Sequence, residues 1–178
     1  YLAELYRRLN RVEDADKHYK LAIGNSDNNS ALHNNYGVFL CGQGRLDEAE
    51  EQFSRVLENP VYNERAQVYE NLGLCMEQKK FYERAEGYFR QALKIKEELP
   101  GTLLAMARIS FHDRNWLSAR GYLQRMAQVS EGSAESLLLA ARVEQILGDN
   151  SAAKQFGAEL LEKYPQSNEA SEYKKLGI

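Results

Sequence analysis

The sequence predicts an all-α protein, a right-handed superhelical solenoid built of helix-turn-helix repeats. A small residue returns at one place in five successive segments, as Ala15, Ala49, Ala85, Ala119 and Ala153, at intervals of 34, 36, 34 and 34 residues. A second ladder, Ala3, Gly37, Gly73, Ala107 and Ala141, stays in phase with the first. No alternation of apolar and polar residues bounded by turn signals occurs, so no strand is expected. Periods in this range belong to stacked arrays, in which a hairpin of helices covers its apolar face only by packing on its neighbours.

The two ladders resemble positions 8 and 20 of the tetratricopeptide repeat, and the other positions follow that pattern. Small residues at 8 and 20 let two helices cross in near contact, and bulky residues at 24 and 27 fill the gap to the next pair. A single domain over residues 1–178 is therefore expected, with repeats at about 1–29, 30–63, 66–99, 100–133 and 134–167 and a polar cap at 168–178. In the first repeat Tyr1-Leu2-Ala3 already stands at about positions 6 to 8, so the first helix has lost its opening turn. The chain thus reads as part of a longer one, with any signal peptide or lipid-attachment cysteine upstream. Asn10-Arg11 makes the first turn, and Tyr19 and Ala22 fill positions 24 and 27.

In the second repeat Gly42 and Gly44 break the helix before Arg45, and Phe53 and Val56 are the knobs. The third turns at Lys79-Lys80 and packs through Phe89 and Ala92; the fourth turns at Arg114-Asn115 and packs through Leu123 and Met126. The fifth turns at Gly148-Asp149 and has Leu160 at position 27, but it places Gly157 where a large residue belongs. Pro60, Pro100 and Pro165 fall between repeats. The step of 36 residues carries two extra residues in the segment from Glu58 to Arg65, which reads either as a tolerated loop or as a contact loop presenting Tyr62.

Composition excludes several classes of function. The 178 residues are 43% hydrophobic, with no apolar run near the roughly 20 residues of a membrane span. Net charge is −3, with 14 basic against 17 acidic residues up to residue 99 and 9 against 9 after it, so no basic stripe exists for a nucleic-acid backbone. His18, His33 and His112 lie in different repeats at unrelated positions, and none has a second ligand at metal spacing. Phosphate-binding glycine loops, nucleophile elbows and Cys-x-x-Cys pairs are absent, so no cofactor and no enzyme activity are expected. Cys41 and Cys75 stand at positions 12 and 10 of neighbouring first helices, about 200° apart around the helix axis. That phase disfavours a bridge and suggests buried filler, leaving the redox compartment undecided.

A chain of this kind offers a surface, lined by positions 2, 5, 9 and 12 of each first helix. The candidate partner-binding residues are Asn34, Val38, Cys41, Gln67, Glu70 and Leu74, with Tyr62 from the insertion beside them. In the later repeats the corresponding positions include Leu104, Arg108 and Phe111, then Glu135, Leu138, Arg142 and Gln145. The mixture suits a protein segment with a hydrophobic face better than an acidic tail. A clamp for a C-terminal carboxylate would need lysines and an arginine here, and only Asn35 and Asn71 echo one.

Beyond the repeat, several segments look familiar together: His33-Asn-Asn-Tyr-Gly-Val-Phe39, Tyr62-Asn-Glu-Arg65, Tyr69-Glu-Asn-Leu-Gly-Leu74, Glu135-Ser-Leu-Leu-Leu139 with Arg142, and Phe156-Gly157 before Lys163-Tyr-Pro165. They resemble the type IV pilus biogenesis and stability lipoprotein family over about residues 28–170, including the insertion and Gly157. The resemblance implies a non-enzymatic pilotin, lipid-anchored upstream of this chain at the periplasmic face of the outer membrane, that supports localisation and multimer assembly of the pilus secretin. A generic tetratricopeptide scaffold or co-chaperone gripping a peptide of another protein is the competing expectation.

Overall fold

The computed structural model describes residues 1–26 and 28–177, and every regular element among them is an α-helix. They form two compact units, Tyr1–Ile95 and Lys96–Ile178. The first unit holds α1 (Leu2–Arg8), α2 (Val12–Asn25), α3 (Ser30–Gly42), α4 (Leu46–Glu58), α5 (Arg65–Gln78) and α6 (Tyr82–Ile95). The second holds α7 (Pro100–His112), α8 (Trp116–Val129), α9 (Ala134–Ile146), α10 (Asn150–Lys163) and α11 (Asn168–Leu176). Helices pair in sequence from α1 with α2 to α9 with α10, and within the first unit α3 also packs on α5.

One device makes all five hairpins. The residue five places before each anchor alanine is left-handed: Asn10, Gly44, Lys80, Arg114 and Gly148 have φ of 55°, 77°, 64°, 59° and 85°. This reversal ends the first helix in a Schellman-type closure, where the next backbone N–H reaches back to a carbonyl of the last turn. Arg11, Arg45, Phe81, Asn115 and Asp149 donate in this way to Tyr6, Leu40, Met76, Ser110 and Glu144 at 2.8–3.0 Å. The carbonyl of that same residue then accepts from the anchor alanine N–H at 2.9–3.0 Å, which starts the second helix.

The anchors are then sealed: Ala15, Ala49, Ala85, Ala119 and Ala153 are all 0% exposed. A β-carbon on Gly37 would lie 2.9 Å from the Phe53 ring, and one on Gly73 would collide with Phe89, so each glycine is the socket for the knob of its own repeat. Gly157 inverts the arrangement. The ring of Tyr173, from α11, occupies the space a side chain at 157 would fill, so the capping helix supplies the fifth repeat's missing knob.

Polar ties join successive pairs inside the first unit. Asp16 on α2 accepts from Arg45 at 2.5 Å, from the Tyr36 hydroxyl at 2.8 Å and from Lys20 at 2.6 Å. Burial pushes the Asp16 carboxyl up, but the hydrogen bonds from Lys20, Arg45 and Tyr36 together outweigh it and hold it below the usual aspartate value. Glu50 on α4 is held by Arg84 and by the Tyr88 hydroxyl, both on α6. The insertion is tied down as well, since Asn59 donates to the Ser30 hydroxyl at 2.9 Å and Arg65 to the Leu57 carbonyl at 2.6 Å.

The cysteines depart from expectation. Cys41 and Cys75 form a disulfide between α3 and α5, with α-carbons 5.7 Å apart. An angle of about 200° within one helix frame argues against contact only when both residues sit on the same helix. On two side-by-side helices of like orientation, opposite phases are those that point at each other, so this spacing favours the bridge.

Candidate protein-binding site

The face shared by α3 and α5 is built by the same periodicity that builds the core. On α3, Tyr36, Gly37 and Leu40 turn inward and are buried, which leaves Asn34 and Val38 on another side. On α5, Leu72, Gly73 and Met76 turn inward, and Gln67 and Leu74 are exposed. Val38 and Leu74 each follow the small residue at position 8 and are 41% and 39% exposed, so two repeats present equivalent apolar side chains.

Amides lie along the same helices. Asn71 donates to the Asn34 side-chain oxygen at 3.0 Å, which joins α5 to α3. Gln67 donates to Glu70 at 2.7 Å and to the Asn71 oxygen at 3.3 Å. Glu70 is 8% exposed and Cys41 is 7% exposed and bonded to Cys75, so neither is an open contact. The structure therefore ties Asn34, Gln67 and Glu70 into one network through Asn71 and makes Cys41 a brace beneath the face. Asn71 and Cys75 were absent from the candidate set. The asparagine at position 6 was the available signal for the first, and the opposed phase of the cysteines for the second.

Tyr62 stands outside this network. Its hydroxyl donates to Glu64 at 3.2 Å, and burial with that carboxylate raises its pKa. Its neighbour Val61 is the large apolar residue that the insertion exposes, at 79%. Among the described residues no group of three or more His, Cys, Asp or Glu side chains could hold a metal, and no helix is long and apolar enough to cross a membrane. The face offers two apolar contacts, donors and acceptors for a peptide main chain, and a covalent brace. Those are the means of holding a protein segment.

Similarity to known proteins agrees with this architecture. The tetratricopeptide repeat family matches residues 27–98. The type IV pilus assembly protein PilF of Pseudomonas aeruginosa is 35% identical over 159 residues, 89% of this chain and 63% of that protein, so the chain spans less than two thirds of this relative. A solved structure described as a functional characterization of Pseudomonas aeruginosa pilF superposes with a TM-score of 0.87 at 32% identity, covering 98% of this chain and 79% of the other. PilW, described as a widely conserved type IV pilus biogenesis factor, superposes at 0.83 with 26% identity, covering 96% of this chain and 78% of its own. The chain belongs to the tetratricopeptide-repeat family and is homologous to the type IV pilus proteins PilF and PilW.

Proposed function

We propose that this chain is the repeat region of a pilotin, a protein that binds the pilus secretin and supports its localisation and multimer assembly at the periplasmic face of the outer membrane. The relationship to PilF and PilW carries this reading, since both names belong to type IV pilus assembly. The Cys41–Cys75 bridge supports the compartment: disulfides persist in the periplasm and are rare in a reducing cytosol, which also weighs against a cytosolic co-chaperone. A lipid anchor outside the described residues would supply membrane affinity while the repeats hold the secretin segment. The early-repeat face is the assigned contact, with Val38 and Leu74 as its apolar centre and Asn34, Asn71 and Gln67 around them. The insertion with Tyr62 is assigned to its edge.

The test replaces Val38 and Leu74 with Asp in the full-length protein. Both residues are exposed, so the variant should fold with an unchanged circular-dichroism spectrum, while secretin multimers in outer-membrane fractions should fall at least about five-fold, the effect of losing ~1 kcal/mol of contact. Unchanged multimers with a folded variant would refute this face. Unchanged multimers after removal of the whole protein would refute the pilotin reading itself.

A further inference from the structure

The hairpin of α1 and α2 is complete on one side only. On α2, Ala15 is sealed and the knob Tyr19 is 2% exposed, with its ring 5.1 Å from Tyr36 and 5.3 Å from Phe39 of α3. On α1, Leu2, Leu5 and Leu9 recur at i, i+3 and i+7 and so share a face, yet they are 53%, 50% and 58% exposed. Ala3 is the one buried residue of this helix.

The later repeats show what that face lacks. Leu2 and Leu5 stand at positions 7 and 10, which are filled further on by Tyr36 and Phe39, Leu72 and Cys75, Met106 and Ile109, and Ala140 and Val143. All of those are buried. In both units the residue at position 24 of the preceding second helix supplies cover: Tyr19 stacks over Tyr36 and Phe39, and Leu123 joins Ala140 and Val143 in one cluster. The leucines of α1 therefore call for the same kind of cover, a large apolar side chain from a second helix.

A second copy of the chain has no such side chain to offer. Its last second helix is α10, whose position 24 is Gly157, and the Tyr173 ring from α11 already fills the space there. The outer side of α11 is polar, with Glu172, Lys174 and Lys175 exposed. Within the array each cover comes from residues one period earlier in the chain, so the complement to Leu2 and Leu5 belongs one period, 34–36 residues, before Tyr19.

We propose that the exposed face of α1 is an internal seam of the full-length protein, closed by the second helix of a further helical hairpin ahead of Tyr1. A large apolar side chain one period before Tyr19 seats on Leu2 and Leu5. The α1 face is therefore not a docking surface for a foreign protein, and this assignment does not rest on the pilotin reading.

Thiol labelling of the full-length protein with a maleimide tests this by comparing Leu5→Cys with Val61→Cys, the latter at a residue 79% exposed, with the Cys41–Cys75 bridge intact in both. The Leu5→Cys thiol should react at least about ten-fold more slowly than the Val61→Cys thiol in the native protein and at the same rate in urea, the mark of a site that reacts only on local opening. Leu2→Cys should behave like Leu5→Cys and provides the measurement should that variant fold poorly. The slow rate should be the same at about 1 μM and about 100 μM protein. Adding Val38→Asp and Leu74→Asp should leave it unchanged, which keeps this result distinct from the secretin test. Equal native rates at residues 5 and 61 would overturn the proposal, as would the lack of a large apolar residue 34–36 positions before Tyr19. Protection that disappears on dilution would overturn it as well, by assigning the face to a second copy.

Discussion

Lys80 and Arg114 hold a left-handed backbone that costs a residue with a β-carbon about 1–2 kcal/mol, and among the described residues no side-chain hydrogen bond repays either of them. Gly44 and Gly148 occupy the same place in their repeats without that cost. Lys80→Gly and Arg114→Gly should therefore each stabilise the chain by about 0.5–1 kcal/mol, glycine's greater freedom in the unfolded chain taking back part of the gain. Gly148→Ala, with open space around its β-carbon, should cost about 1 kcal/mol through backbone strain alone. Urea midpoints at unchanged slope measure both signs. Asp16 makes a different kind of local prediction. Its pKa is lowered on folding, so its contribution is full above the unfolded aspartate value near ~3.9 and is lost as the pH falls through the folded value. Asp16→Asn should cost about 1–2 kcal/mol near neutrality, and the gap between variant and parent should close below about pH 4. A gap that stays constant down to about pH 3 would show that the carboxylate charge is not what Arg45, Lys20 and Tyr36 hold.

At the scale of the element, the hairpin was the legible unit. The anchor alanines, the polar or glycine turns five residues earlier and the knobs at position 24 lie within one period, and each obeys local stereochemistry that a single sequence exposes. What was not legible depends on a second element in space. Gly157 departed from the pattern because its knob comes from Tyr173, sixteen positions on and in another helix. The bridge was misjudged because the phase of two cysteines was compared on one helix, when the relevant geometry is that of α3 beside α5. Within the candidate face, the exposure of Val38 and Leu74 followed from their register, whereas the amide chain through Asn71 needed the distance between helices. The bridge links residues 34 apart on the first helices of the second and third repeats, so it ties neighbouring repeats directly. Reduction, or Cys41→Ser with Cys75→Ser, should lower the stability of the first unit by about 2–4 kcal/mol, mostly by freeing the unfolded chain. Thermal melts with and without reductant measure this, and the serine variant should be insensitive to reductant.

At the scale of the whole molecule, repeats that touch only their neighbours make stability a sum of local terms, so a lesion should be felt nearby and fade with distance along the array. The second unit offers a sharp case, because Tyr173 on α11 seals Leu137, Leu138, Ala141 and Leu160 and is itself 8% exposed. Truncating it leaves a cavity over Gly157, where no side chain can move in. Tyr173→Ala should therefore cost about 2–4 kcal/mol locally. The loss should appear in amide hydrogen exchange as reduced protection across α9, α10 and α11, with α3 to α6 in the first unit unchanged, since none of their residues joins that cluster. If protection fell equally in both units, the chain would be unfolding as one cooperative block. The nearest-neighbour account would then fail, and with it the expectation that the early-repeat face can be altered independently of the second unit.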